Sequence, residues 1–151
     1  MGLESVADAG PLIHLAEIGA LSALEVFSLV HVPEDVWAEA GGQEGVGLSR
    51  LAALKYLRRH SPDRAPIDEF ARTRGLTTLH RGEQAALYLC HSLPIPLLLT
   101  DDLAARAAAQ RLGITPVGSL GVVVRAGREG LMSLEQAERH VLNLYQVSSL
   151  F

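Results

Sequence analysis

Short apolar runs alternate along this chain with stretches whose apolar residues recur every three to four positions, a pattern that predicts an α/β domain with a parallel sheet. Leu3 to Asp8 reads as a first strand. Pro11 suits the first turn of a helix with Leu12, Ile13, Leu15, Ala16 and Ile18 on its apolar face, running up to Gly19. A short helix around Leu21 to Val26 leads to a second strand, Ser28 to Val32. Pro33 then opens a helix over Glu34 to Ala40, which Gly41 and Gly42 end. Residues 41–47 form a glycine-rich link, expected to be mobile. Leu48 to Arg59 has helical period, with Leu51, Leu54, Tyr56 and Leu57 apolar, until Ser61-Pro62 breaks it. Ile67 to Arg74 makes another helix before Gly75, and Leu76 to Leu79 is the expected third strand. Gly82 to His91 is helical, Pro94 and Pro96 interrupt, and Leu97 to Thr100 is the fourth strand. Asp102 to Leu112 is a helix stopped by Gly113, and Ile114 to Val117 is the fifth strand. Ser119 is expected to cap a helix ending near Gly130, and Ser133 with Gln136 makes a capping box for a last helix, Leu134 to about Tyr145. Strands separated in this way form one doubly wound sheet. With no internal repeat or linker between domains, residues 1–151 are expected to make a single domain. The apolar tail, Val147 to Phe151, either packs or serves between subunits.

This pattern sets carboxylates at strand ends. In an open parallel sheet, ligands gather outside the carboxyl ends of the strands. Asp8 closes Ser5-Val6-Ala7-Asp8, and Asp101 closes Leu97-Leu98-Leu99-Thr100-Asp101. Pro11 at the first helical position would make Gly10 the cap and leave Asp8 outside that task, which favours a functional role for Asp8. Of Asp101 and Asp102, one is needed to cap the following helix. Asp101, nearer the strand end, is the better ligand, and Asp102 is structural or supporting. Glu83, in Arg81-Gly82-Glu83-Gln84, reads equally as a complement to a helix dipole or as a functional acid. Glu39, alone, is ordinary helix surface. Converged carboxylates repel one another, and a divalent cation is the usual relief. Metal-assisted hydrolysis is therefore the first chemistry to consider.

Composition narrows the field. Hydrophobic residues make up 48% of the chain and the net charge is −4, which suits a globular protein with no overall attraction to nucleic acid. No apolar run reaches the roughly 20 residues needed to cross a bilayer, so no membrane association is expected. The start has no basic region ahead of an apolar stretch, and a secretory signal is not expected. Cys90 is the single cysteine. It excludes an internal disulfide and a cysteine-based zinc site, reads as core packing, and fits a reducing cytoplasm. Lys55 is the only lysine among 13 basic residues. Arg50, Lys55, Arg58, Arg59 and Arg64 cluster, followed by Arg72, Arg74 and Arg81, which is either a phosphate-binding face or a solvated surface, the latter slightly favoured. His14 and Glu17 lack the second histidine of a zinc motif, and His31, between valines, reads as a satisfied core or edge residue. There is no phosphate-binding glycine loop with its lysine and no nucleophilic serine motif.

Five motifs in order resemble the PIN-domain nucleases, the fold of VapC-type toxins. They are Val6-Ala7-Asp8-Ala9-Gly10-Pro11-Leu12-Ile13, Val32-Pro33-Glu34-Asp35-Val36-Trp37-Ala38-Glu39, Arg81-Gly82-Glu83-Gln84-Ala85-Ala86, Leu97-Leu98-Leu99-Thr100-Asp101-Asp102 and Gly118-Ser119-Leu120-Gly121-Val122. The nearest likeness is to a subgroup beginning with an Asp-Thr/Ser-Ser-Pro-Leu-Ile motif. The resemblance implies a three-layer α/β/α fold with a central five-stranded parallel sheet. It also implies that Asp8, Glu39, Glu83 and Asp101, with Asp102 beside them, gather around Mg²⁺ or Mn²⁺ to cut RNA. One departure stands out: Ala9 replaces the usual hydroxyl residue and Gly10 a serine or asparagine, so a hydroxyl bond supporting the site is expected to be missing. Ser119 offers a hydroxyl from the opposite side.

The resemblance implies an endoribonuclease, the toxin of a toxin–antitoxin pair, with an RNA substrate and a small antitoxin partner; a homodimer is expected from the apolar helical faces. The alternative, prompted by Ala9 and the acidic balance, is a weakened or inactive module that binds RNA or protein. A phospho-acceptor receiver domain is disfavoured, because no lysine follows the last strand.

Overall fold

The protein is described here from a computed structural model, which covers residues 2–41 and 48–147, the side chains of 48 and 49 excepted. Five parallel strands form one sheet: β1 (Glu4–Ala7), β2 (Leu29–Pro33), β3 (Leu57–His60), β4 (Leu97–Leu99) and β5 (Thr115–Val117), in the order β3-β2-β1-β4-β5. Eight helices accompany them among the described residues: α1 (Ala9–Glu17), α2 (Glu34–Gly41), α3 (Leu48–Ala52), α4 (Arg64–Arg74), α5 (Arg81–Ser92), α6 (Leu103–Arg111), α7 (Ser119–Arg128) and α8 (Leu134–Val147). Residues 21–26 form a 3-10 turn.

Alternation along the strands fills both faces. Val6 and Leu98 point to one side, with Phe70, Leu76, Leu87 and Ala109 from the helical layer there. Ala7, Leu97 and Leu99 point to the other, with Leu12, Leu15, Phe27, Val122 and Leu144. The result is the three-layer α/β/α sandwich. Tight packing of α7 on α8 depends on Gly127, where a Cβ would come within 2.9 Å of the Ala137 Cβ.

The strand order makes β1 the pivot. The chain winds outward from β1 through β2 to β3, then crosses back to β4, on the far side of β1, and on to β5. Ala7 pairs with Leu99 in register, so Asp8 and Thr100-Asp101 leave neighbouring strands together. The crevice at this reversal is where doubly wound sheets bind ligands.

Two expected elements are corrected. The helix read over 48–59 stops at Ala52, and the third strand is Leu57–His60, not Leu76–Leu79. At the sheet edge β3 buries little, and both Arg58 and Arg59 are exposed, so its composition carries no strand signal. Val30 N–H donates to the Tyr56 carbonyl at 2.8 Å, tying this edge to β2. Leu76–Leu79 is instead a turn, closed by Leu79 N–H on the Leu76 carbonyl. The Gln84 side-chain amide donates to the Leu76 and Leu79 carbonyls at 3.0 and 3.2 Å, taking up groups that a strand would pair. The Ser133–Gln136 box forms as expected, with reciprocal bonds of 3.0 and 3.1 Å. Beyond Gly41, which ends α2, the glycine-rich link lies outside the described residues, as does the apolar tail after Val147.

Candidate active site

At the reversal point, a cavity of about 290 Å³ is lined by Asp8, Glu39, Glu83, Asp101 and Asp102, with Gly10, His14 and His80. All five acids singled out in the sequence line this one space, and among the described residues no lysine or arginine lines it. Among the described residues no three His, Cys, Asp or Glu side chains close on a single point. The acids form a lining rather than a finished cage.

Asp8 caps α1, contrary to the expectation that Gly10 would. Its Oδ1 accepts the Ala9 N–H at 2.8 Å. Its Oδ2 accepts the Thr100 hydroxyl at 3.0 Å. Burial, reinforced by the charges of Glu39 and Asp102, pushes the Asp8 carboxyl from 3.8 up to about 6, although its two hydrogen bonds pull the other way. Glu83, the third residue of α5, accepts the His80 backbone N–H at 2.9 Å, completing a capping box. It is also buried, and burial together with the Asp8 and Asp102 charges raises its carboxyl to about 7, its proton shared toward Asp102. Glu83 thus serves the start of α5 and also lines the cavity. Glu39 is exposed on α2 yet close enough for its charge to act on Asp8.

Asp102 caps α6, its Oδ2 accepting the Ala105 N–H at 2.9 Å. Asp101 is held differently. Its Oδ1 accepts the Ser119 N–H at 2.7 Å, and its Oδ2 accepts the Ser119 hydroxyl at 2.5 Å and faces His14 Nδ1 at 2.7 Å. The expected cap of α7, Ser119, is therefore its first helical residue, and Gly118 is the cap. The terminal N–H of α7 is met from β4, by Asp101. His14 is held toward its protonated form by this bond, with burial opposing.

Two neighbours of these acids escaped sequence reading. Thr100 lay unremarked inside an apolar strand. His14 was dismissed for want of a second histidine, whereas its partner is a carboxylate 87 residues away. No local signal reveals such a pairing. The hydroxyl missing at Ala9 has a counterpart in Thr100, and Ser119 does supply one to Asp101. Ala9 itself is fully buried core.

Three arginines of the basic stretch are committed to carboxylates. Arg59 pairs with Glu34 and stacks over Trp37, Arg64 binds Asp35, Asp68 and Gln84, and Arg72 binds Glu69. His31 is satisfied, 2.6 Å from Glu4 Oε1 and 2.8 Å from His60 Nε2. Cys90 is buried, with its thiol pushed up to about 12, as a core residue should be. No helix among the described residues is long and apolar enough to cross a membrane.

A family model of the PIN domain matches residues 4–149, from the first strand to beyond the start of the last helix. No curated protein matches the chain.

Proposed function

The chain belongs to the PIN-domain family, whose members are generally nucleases that use divalent metal ions, and we propose on that premise that it is a Mg²⁺- or Mn²⁺-dependent endoribonuclease. One observation carries the reading: five carboxylates line one cavity at the sheet's reversal point, and two of them are driven toward protonation by burial and by one another. The donor set fits a hard cation, because every carboxylate offers oxygen and no thiolate is present. A bound divalent ion supplies Lewis acidity and charge neutralisation at a phosphodiester.

Asp8, Glu39, Glu83 and Asp102 are the side chains best disposed to hold that ion, since they face one space and their charges help raise the Asp8 and Glu83 carboxyls despite the hydrogen bonds those two accept. Asp101 already meets two groups of Ser119 and His14, so its task in this reading is to fix α7 and His14 beside the cavity. Thr100 holds Asp8 toward the space, and Ala9 N–H holds the other oxygen. The alternative of a non-cutting module drew on the missing hydroxyl at residue 9, and the Thr100 bond weakens that motive.

The finer reading is a VapC-like toxin with a small antitoxin, which rests on motif order; the single cysteine supports a cytoplasmic setting and apolar helical faces a homodimer. Leu142 and Tyr145, 57% and 55% exposed on α8, give an apolar helical face for the dimer. The test is cleavage of single-stranded RNA with Mn²⁺ or Mg²⁺. Wild type should cut, chelator should stop it, and Asp8→Asn should be inactive. Equal cutting by both proteins contradicts the proposal.

A further inference from the structure

Beside the acid cavity lies a second space of about 420 Å³, and Asp101 lines both. Its walls are Leu103 on α6, Pro116 on β5 and Leu120 on α7; among the described residues its single cation is Arg106. From these features we infer that this groove seats one nucleotide of a single-stranded RNA, the neighbour of the phosphodiester in the acid cavity, with Arg106 on the backbone phosphate. The inference rests on the nuclease reading for its substrate and deepens it by naming where the chain runs.

Arg106 differs from Arg59, Arg64 and Arg72, which are committed to carboxylates, whereas Arg106 makes no ion pair among the described residues. One of its terminal nitrogens donates to the Thr100 carbonyl at 3.2 Å. That bond fixes the guanidinium at the groove and leaves its remaining N–H groups for a ligand. A planar fork of this kind suits phosphate.

The seam between the two spaces is kept open by a glycine. A Cβ on Gly118 would stand 2.8 Å from Asp101 Oδ1 and 3.2 Å from Arg106 Nη1. Any side chain there would fill the passage between carboxylate and guanidinium. At the lip, Leu103 is 82% exposed. An apolar side chain so placed gains nothing from the fold, but it offers a face for a base. Apolar contact of this kind is non-directional and blind to base identity. Apart from Asp101 and Arg106, no polar side chain among the described residues lines the groove to read a base edge, so this position should tolerate any base.

The test measures binding of a fluorescent uridine oligonucleotide to the whole protein in chelator, over a range of salt, for wild type, Arg106→Ala, Arg106→Lys and Leu103→Ser. Arg106→Ala should weaken binding about tenfold and reduce the salt slope by about one. Arg106→Lys should restore the slope. Leu103→Ser should weaken binding about fivefold with the slope unchanged, and an abasic residue in the oligonucleotide should remove the difference between it and wild type. Thermal melts that match wild type confirm that each variant is folded. Wild-type binding and salt slope in folded Arg106→Ala and Leu103→Ser would overturn the inference. Failure of wild type to cut with Mn²⁺, while Arg106 still governs binding, would remove the nuclease reading and leave the groove. Metal-dependent cutting with binding indifferent to Arg106 would remove the groove alone.

Discussion

Asp8 and Asp101 leave the ends of neighbouring parallel strands, both buried, and the fold treats them in opposite ways. Asp101 receives the Ser119 N–H, the Ser119 hydroxyl and His14, so its charge is spent inside the protein. Asp8 receives one N–H and one hydroxyl, then faces Glu39, Glu83 and Asp102 across a cavity. The same position in a doubly wound sheet can therefore serve as a brace or as a site. What separates the two is how many donors the neighbouring elements bring. α7 delivers its N-terminus to Asp101, while α2 and α5 deliver more acid to Asp8.

Breaking this comparison should have its largest effect on chemistry. Asp8→Asn should lower RNA cleavage by about 100-fold or more, the loss expected when a metal's contribution of several kcal/mol is removed. Timed cleavage under single-turnover conditions measures it. Asp101→Asn should act first on stability. It leaves one carbonyl oxygen where two charged oxygens met three donors, and should cost about 2–3 kcal/mol in urea unfolding.

The sign reverses for Asp8, and pH sharpens the contrast. Its folded value of about 6 lies above the ordinary 3.8. Between these values the folded protein keeps a proton that the unfolded chain has lost, so stability falls as pH rises through the window. At pH 8 without metal, Asp8→Asn should be more stable than wild type by about 1–3 kcal/mol. The gap should shrink as the pH is lowered toward 4, read by melting temperature across that range. The smallest expected effect is Thr100→Val, which removes one hydroxyl from Asp8. It should cost about 1 kcal/mol and raise the Asp8 carboxyl further, seen as weaker Mn²⁺ binding at pH 6 than at pH 8.

Four of the five strands, and the acids at their ends, were legible because apolar runs and helix periodicity record burial directly. β3 was not. At the edge of the sheet Arg58 and Arg59 face water, so nothing in composition marks them as strand, and Leu51, Leu54 and Leu57 mimic a helical stripe. Leu76 to Leu79 misled for the converse reason, since Leu76 is buried core without being part of the sheet. In the site, Asp8 and Asp101 were visible at strand ends and Glu83 stood even, whereas Glu39 read as surface and was singled out only by the resemblance. The division of labour among the acids was not visible, because it depends on donors distant in sequence: His14 and Ser119 for Asp101, Thr100 for Asp8. Capping logic placed Asp102 correctly and Asp8 wrongly, since Pro11 stands in the third helical position rather than the first.

The most direct test of this division is calorimetric titration with Mn²⁺ at pH 8 of wild type, Asp8→Asn and Asp101→Asn, each shown to be folded. Asp8→Asn should lose binding by about tenfold to 100-fold or more, and Asp101→Asn should bind within about threefold of wild type. Loss of binding in Asp101→Asn as deep as in Asp8→Asn would contradict the account.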